Sequence, residues 1–254
     1  MAASTETQAF GIDVGGTGIK GGVVDLATGE LVGERLRIDT PHPATPQSVA
    51  GTVVKLVEQF GWAGPVGLTL PCVVKDGIAR TAANVDKDWI GTDSRSLFNS
   101  ALGGRHTAVL NDADAAGMAE YHYGAGRDIT GVVIMLTFGT GIGSAIIHNG
   151  VLLPNTEFGH MQVDGHDAEH AAAASVKEDK GLSWKEWAPA VSKYLTKMEA
   201  LFWPDLFIAG GGVSKKGDKW IPLLNNNTPV VAATLQNTAG IVGAAMAVHS
   251  TLSP

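Results

Sequence analysis

Apolar and polar positions along this chain alternate between strand-like runs and stripes of helical period, and the strand-like runs come first. Residues 10–14, 19–25 and 30–38, the last two joined by turn chemistry at Ala27-Thr28-Gly29, predict an antiparallel meander. After the Pro-rich link 41–46, Thr45 is a good N-cap and Pro46 a good first helical residue. Val49, Val53, Leu56, Val57 and Phe60 then keep one face, and Gly61 ends the helix. Residues 66–70 read as a buried strand, 73–80 as a hairpin turning at Lys75-Asp76-Gly77, and 107–110 as another buried strand. Asn111-Asp112-Ala113-Asp114 leaves that strand and opens a helix expected over about 115–123, stopped at Gly124.

The order then restarts. A strand over 132–138 is followed by a hairpin and a third strand reaching Leu153. The best-patterned helix keeps Trp187, Val191, Tyr194, Leu195, Met198, Leu201 and Phe202 on one face. Ser183 and Glu186 match a capping box ahead of it, although Pro189 suits a first turn better than an interior. Residues 206–209 form a strand running into Gly210-Gly211-Gly212, and 239–250 a helix so rich in Gly and Ala that it must pack closely, with the first domain as its expected support.

The restart carries a repeated motif. Gly16-Thr17-Gly18-Ile19 recurs 123 residues later as Gly139-Thr140-Gly141-Ile142, each copy between a strand and a small-residue strand. Glycine-rich turns that enter positive φ bring main-chain N–H groups close to an anion such as phosphate. A duplicated fold is therefore expected, with a small α/β domain of residues 1–110 plus 239–254 and a larger one of 111–238. Gly16, Gly18 and Gly21 also match a dinucleotide fingerprint, but that motif needs a helix directly after the turn. Here a Gly-rich, β-branched strand follows, so the reading is rejected.

The net charge of −7, with no long Lys/Arg block, argues against a nucleic-acid partner. Charge is uneven, however: residues 177–219 hold 8 of the 18 basic side chains and 6 of the 25 acidic ones. Cys72 is the single cysteine, which excludes an intramolecular disulfide and a Cys-rich zinc site and fits a reducing compartment. Polar residues 1–8 and the lack of any 18-residue apolar window lead to the expectation of a cytoplasmic chain without a membrane partner.

Candidate chemistry gathers at a few positions. Asp13 precedes the first turn, and a carboxylate beside phosphate-binding amides calls for an intervening cation, so a hydrated Mg²⁺ is expected there. Asp112 is a candidate general base, placed between a buried strand and a helix; spacing alone leaves Asp112 and Asp114 open. Asn84, Asn111, Glu157 and His160 are the residue types that a site for several hydroxyls needs. His166 and His170, four apart, could ligate a metal with His160 or a carboxylate but lack a third ligand at fixed spacing, so local hydrogen bonding is the expected role.

These residues resemble the ROK (repressor, open reading frame, kinase) sugar kinases of the actin and hexokinase superfold. The likeness runs from Asp13-Val14-Gly15-Gly16-Thr17-Gly18-Ile19-Lys20 and 136–143 through Asn111-Asp112, Glu157-Phe158-Gly159-His160 and Gly210-Gly211-Gly212-Val213. Thr81-Ala82-Ala83-Asn84 and residues 164–169 are most similar to the polyphosphate-dependent glucokinases within it. The resemblance implies an α/β, actin/hexokinase-like (ribonuclease H-like) duplicated two-domain fold with a cleft between the domains. It implies phosphoryl transfer from polyphosphate or ATP, with Mg²⁺, to the 6-hydroxyl of glucose or a close epimer such as mannose.

By the same resemblance Asp112 is the base, and Asn111, Asp112, Glu157 and His160 bind sugar hydroxyls, with Asn84 and Glu169 as further sugar ligands. Gly15, Gly16, Thr17, Gly18 and Lys20, with Gly139, Thr140 and Gly141, hold phosphate; Gly210, Gly211 and Gly212 floor a nucleotide pocket. Valine at Gly18 or Gly141 is expected to raise the donor KM more than the sugar KM. Residues 164–170 replace the family's Cys-rich motif, so no structural zinc is expected. Lys193, Lys197, Lys215 and Lys216 form a candidate track for polyphosphate, and a homodimer is the candidate assembly. The rival readings are an ATP-only kinase of another hexose and a sugar-sensing regulator, the latter disfavoured by the roughly ten residues ahead of the first strand.

Overall fold

The computed structural model describes residues 7–249, so the predicted helix end at Ser250 and most of the polar leader 1–8 lie outside the described residues. Strands β1 (Gln8–Val14) and β2 (Gly18–Asp25) form an antiparallel hairpin in which Val14 faces Ile19. The predicted single strand 30–38 is instead two, β3 (Glu30–Leu31) and β4 (Leu36–Asp39), both paired with β2. Gly33, at φ 86°, turns the chain between them and breaks the extended run.

Helix α1 (Pro46–Gln59) starts as its signals require, with the Thr45 hydroxyl accepting from the Ser48 amide and Gly61 in the left-handed region just past its end. Strand β5 (Val66–Leu70) lies parallel to β1. The short hairpin β6 (Val74–Lys75) and β7 (Ile78–Ala79) turns through Asp76 and Gly77, both at positive φ. Helix α2 (Ser94–Ala101) and strand β8 (Thr107–Asn111) complete a sheet ordered β3-β2-β1-β5-β8. Helix α3 (Asp112–Tyr123) follows without a loop.

The second unit repeats the scheme. Strands β9 (Val132–Phe138) and β10 (Ile142–His148) are antiparallel, and β11 (Val151–Leu153) is added on the outside. The small hairpin β12 (Gln162–Val163) and β13 (His166–Asp167) leads into α4 (Glu169–Ala172) and α5 (Ala174–Asp179). Helix α6 (Trp184–Phe202) begins with the predicted capping box and carries Pro189 in its second turn. Strand β14 (Leu206–Gly211) runs parallel to β9; α7 (Gly217–Trp220) and β15 (Val230–Ala232) follow, giving the order β11-β10-β9-β14-β15. Each sheet thus sets an antiparallel hairpin beside a parallel strand, β2-β1-β5 in one and β10-β9-β14 in the other.

Helix α8 (Ala239–Ala247) packs on β1 and β5. One compact unit ends at Ala119 and resumes at Thr238, and the other is Glu120–Asn237. The first boundary, expected after residue 110, therefore falls within α3, because the start of that helix belongs to the packing around α8. Ala115 shares a buried cluster with Ala247 and Val248, and a Cβ on Gly243 would lie 1.9 Å from the Ala115 carbonyl oxygen. Side chains on β1 alternate between layers. Phe10, Ile12 and Val14 join the core formed with Val53, Leu56 and Val57 of α1, while Gly11 faces α8. In the other unit Phe138, Trp187 and Trp220 meet edge-to-face, with centroids 5.1 to 5.8 Å apart. Glu120, fully buried there, accepts from the amides of Ala125, Thr234 and Leu235 and from the Thr234 hydroxyl. A carboxylate so supplied with donors offsets its own desolvation.

Candidate active site

The repeated turns are built alike but are not the same length. Four residues, 15–18, separate Val14 from its partner Ile19, whereas three, 139–141, separate Phe138 from Ile142. None of Gly15, Gly16, Gly18, Gly139 and Gly141 lies at positive φ, contrary to the expectation from their glycine content. Neighbouring side chains crowd three of them, whereas Gly139 has open space around it. A Cβ on Gly18 would lie 2.5 Å from Arg37 Nε, one on Gly16 3.2 Å from Asn84, and one on Gly141 2.4 Å from Glu169 Oε2.

Both turns have their carbonyls tied back by side chains. The Thr40 hydroxyl donates to the Gly15 carbonyl (2.5 Å) and Arg37 to that of Thr17 (2.8 Å). In the second unit the Ser175 hydroxyl donates to the Thr140 carbonyl (2.7 Å) and the Ser175 amide to that of Gly139 (3.1 Å). With the oxygens so held, each loop keeps a fixed shape, which is what a main-chain anion nest requires. Thr40, Arg37 and Ser175 were not singled out from the sequence, where nothing local marks them.

Asp13 is less open than expected. Its Oδ2 pairs with Lys20 across the hairpin at 3.2 Å, and its Oδ1 accepts from the Thr69 hydroxyl at 3.1 Å. A directly ligated Mg²⁺ would have to displace Lys20, so the residues fit only an ion reached through its hydration water. Asn84 is an exposed loop residue beside Gly16. Asn111 is buried and largely committed to the fold: its carbonyl oxygen accepts from the amides of Ala113 and Asp114, and its amide donates to the Cys72 carbonyl at 3.1 Å. Asn111 thus caps α3, with Asp112 Oδ1 also accepting from the Ala113 amide at 2.9 Å. Asp112 is part-exposed at the first position of that helix, whereas Asp114 is fully buried.

The second unit gathers Glu157, His160 and Glu169, and adds Asp167. His160 Nδ1 is 3.0 Å from Asp167 Oδ2 and 3.7 Å from Glu169 Oε1. Glu169 Oε2 in turn accepts from the amide of Ile142, at the end of the second turn (3.2 Å). Gly159 permits this approach, since a Cβ there would lie 2.4 Å from the Ile142 carbonyl oxygen. Desolvation by the surrounding protein raises the Glu157 carboxyl above its ordinary range; His160 opposes that shift and Glu169 adds to it. His160 is held protonated to higher pH than an ordinary histidine, first by its hydrogen bond to Asp167 and then by the nearby carboxylates.

The structure also bears on the histidines, the lysines and the third glycine run. Among the described residues the group able to hold a cation is His160, Asp167 and Glu169, and His166 and His170 have no part in it. Lys193 pairs with Asp164 (2.6 Å) and Lys197 donates to the Gln162 carbonyl, so both reach the β12–β13 hairpin. Gly210 to Gly212 border the second turn, because Gly211 pairs with Phe138. Gly211, at φ 79°, would place a Cβ 2.1 Å from the Phe138 carbonyl oxygen, so no other residue fits. No helix among the described residues is long and apolar enough to cross a membrane.

A profile of the ROK family matches residues 9–181. The polyphosphate glucokinase of Mycobacterium tuberculosis is 61% identical over 245 residues, covering 96% of this chain and 92% of that protein. Among solved structures, the inorganic polyphosphate/ATP-glucomannokinase of Arthrobacter sp. strain KM superposes with a TM-score of 0.91 at 50% identity, over 96% of this chain and 99% of the other. A ROK family glucokinase from Streptomyces griseus, in complex with glucose and AMPPNP, gives 0.82 at 25% identity, over 96% and 100%. The fold is thus the actin/hexokinase-like one of these sugar kinases.

Proposed function

The chain belongs to the ROK family, and from that premise we propose that it transfers a phosphoryl group from inorganic polyphosphate or ATP to the 6-hydroxyl of glucose, with mannose as the nearest alternative acceptor. The observation that carries this reading is the direct hydrogen bond joining a hydroxyl-binding cluster to a phosphate-type turn, Ile142 N to Glu169 Oε2. Acceptor and donor groups on one rigid segment are what a kinase needs for positioning. The names of the relatives support both donors.

In this reading Glu157, His160 and Glu169 bind hexose hydroxyls, joined by Asn84 and by the remaining N–H of Asn111. Asp112 accepts the proton of the 6-hydroxyl as that oxygen attacks the terminal phosphorus, and the bond from phosphorus to the leaving oxygen breaks. The products are hexose 6-phosphate and either ADP or a polyphosphate one unit shorter. Main-chain amides at Gly16 to Gly18 and at Thr140 and Gly141 hold the donor's oxygens, those of Gly15 and Gly139 being spent on closing their own turns through the Gly18 and Gly141 carbonyls; Lys20 adds charge, and Gly210 to Gly212 line the nucleotide when ATP is the donor. Asp13 would hold a Mg²⁺ ion through its hydration water, and that ion would supply charge neutralisation when bound with the donor.

The test is an activity matrix with Mg²⁺ present, setting ATP and long-chain polyphosphate against glucose, mannose and fructose. Glucose should be phosphorylated from both donors. Activity with no hexose sinks the kinase reading, and activity from ATP alone sinks its polyphosphate half.

The second turn's contact with Glu169 alters what a turn substitution should do. Gly18→Val meets a flexible guanidinium that can move away, so it should raise mainly the donor KM. Gly141→Val must displace Glu169, so kcat/KM for the hexose should also fall, by about 10- to 100-fold. Donor and hexose KM measured for both variants check this. A Gly141→Val enzyme with unchanged hexose KM would separate Glu169 from sugar binding.

A further inference from the structure

Of the four residues that close on the sugar-type cluster, Asp167 has no part in the roles proposed above, yet its carboxylate is fully engaged. Oδ2 meets His160 Nδ1 at 3.0 Å, and Oδ1 accepts from the side-chain amide of Gln162, its cross-strand partner on β12. The hairpin that carries Asp167 is itself braced. Its turn residues Asp164 and Gly165 both adopt positive φ, Lys193 pairs with Asp164, and Lys197 holds the Gln162 carbonyl.

We propose that Asp167 is the positioning residue for His160, fixing the ring so that Nδ1 always donates to it and Nε2 is the atom presented to the hexose. The inference rests on the kinase reading for the identity of the ligand, but the proton assignment follows from chemistry on the page. A carboxylate whose two oxygens take N–H groups is an acceptor only, so the proton must sit on Nδ1 of the imidazole. The neutral ring then offers Nε2 as an acceptor, and 61% of the side chain remains exposed, leaving that edge open to a ligand. Glu157 and Glu169 are the other charged groups facing the ring. Neither takes the place of Asp167 here, since Glu169 Oε1 stands 3.7 Å from Nδ1, beyond hydrogen-bond reach, and Glu157 acts on the ring through its charge.

The experiment combines nitrogen-resolved NMR of the histidine rings in the free protein with hexose and donor kinetics for Asp167→Ala and Asp167→Asn. His160 in the unsubstituted protein should show the Nδ1–H tautomer at high pH. Its ring pKa should fall in Asp167→Asn, because the charge that supports the imidazolium is gone while the side-chain shape remains. Asp167→Ala should raise the hexose KM by about tenfold with the donor KM unchanged, and Asp167→Asn, which keeps one acceptor oxygen, should fall between. An Nε2–H tautomer, an unmoved His160 pKa in Asp167→Asn, or equal rises in both KM values would overturn the proposal. So would a stoichiometric transition-metal ion in the purified protein, since Nδ1 would then be a ligand. The tautomer is read without substrate: if the unsubstituted enzyme phosphorylates no hexose, the kinase reading fails on its own. If Asp167→Ala does not fold, the Asp167→Asn titration still decides.

Discussion

Asp112→Asn is expected to lower kcat by about 10² to 10⁴ while the hexose still binds, the range for losing a positioned general base. Two structural facts make this prediction sharper than the spacing Asn111-Asp112-Ala113-Asp114 allows. Asn111 accepts from the amides of Ala113 and Asp114 at the start of α3, and Asp112 Oδ1 shares that of Ala113, a bond the asparagine oxygen can keep, so the replacement should leave the helix intact. Asp114 is fully buried, whereas Asp112 is part-exposed and able to meet a substrate. The amide keeps the shape and a hydrogen bond to the hydroxyl but cannot take its proton. Calorimetric hexose affinity, kcat from polyphosphate and from ATP, and a thermal melt check the three parts separately. Normal binding with less than a tenfold loss of turnover would remove Asp112 as the base.

What was legible in the sequence was local or repeated. Helix α1 announces its start through Thr45 and Pro46, and α6 through Ser183 and Glu186, because capping partners lie within three residues of each other. The duplication was visible because both hairpins carry Gly-Thr-Gly-Ile, and the sheets do repeat the same strand arrangement. The crowding at Gly18 and Gly141 was not visible: the side chains that a Cβ would meet there, Arg37 and Glu169, come from other segments. The same limit hid Thr40, Ser175 and Asp167, each of which acts on a residue brought near by pairing or packing. Lys193 and Lys197 show the same limit, since an excess of lysine in composition does not reveal the acceptors at Asp164 and Gln162 that these two reach. Strand 30–38 failed for a smaller reason. Gly33 and the polar residues after it were read through as extended chain, and the backbone turns there instead.

The second large effect concerns stability and comes from the Gly- and Ala-rich terminal helix. Gly11 lies on β1 and Gly67 beside it on β5, in register. A Cβ on Gly11 would lie 1.8 Å from the Ile241 carbonyl oxygen, and one on Gly67 1.7 Å from that of Ala244. Both obstacles are helix backbone, which cannot rotate aside as a side chain can, so α8 would have to lift from the sheet by more than an ångström. Close-packed interiors resist such a shift. Gly11→Ala and Gly67→Ala are each expected to cost more than about 4 kcal/mol, in the range reserved for overpacking at a site that cannot relax. Gly51→Ala is the control: Gly51 is an exposed position inside α1 with nothing within 4 Å of an added Cβ, so alanine there should stabilise by about 0.5 to 1 kcal/mol through helix propensity. Urea unfolding followed by circular dichroism measures all three. If Gly11→Ala unfolds within about 1 kcal/mol of the parent, α8 does not rest on the strand glycines and the close packing described for this unit is wrong. If Gly51→Ala is destabilising as well, loss at Gly11 would reflect a general intolerance of added side chains rather than the contact with Ile241.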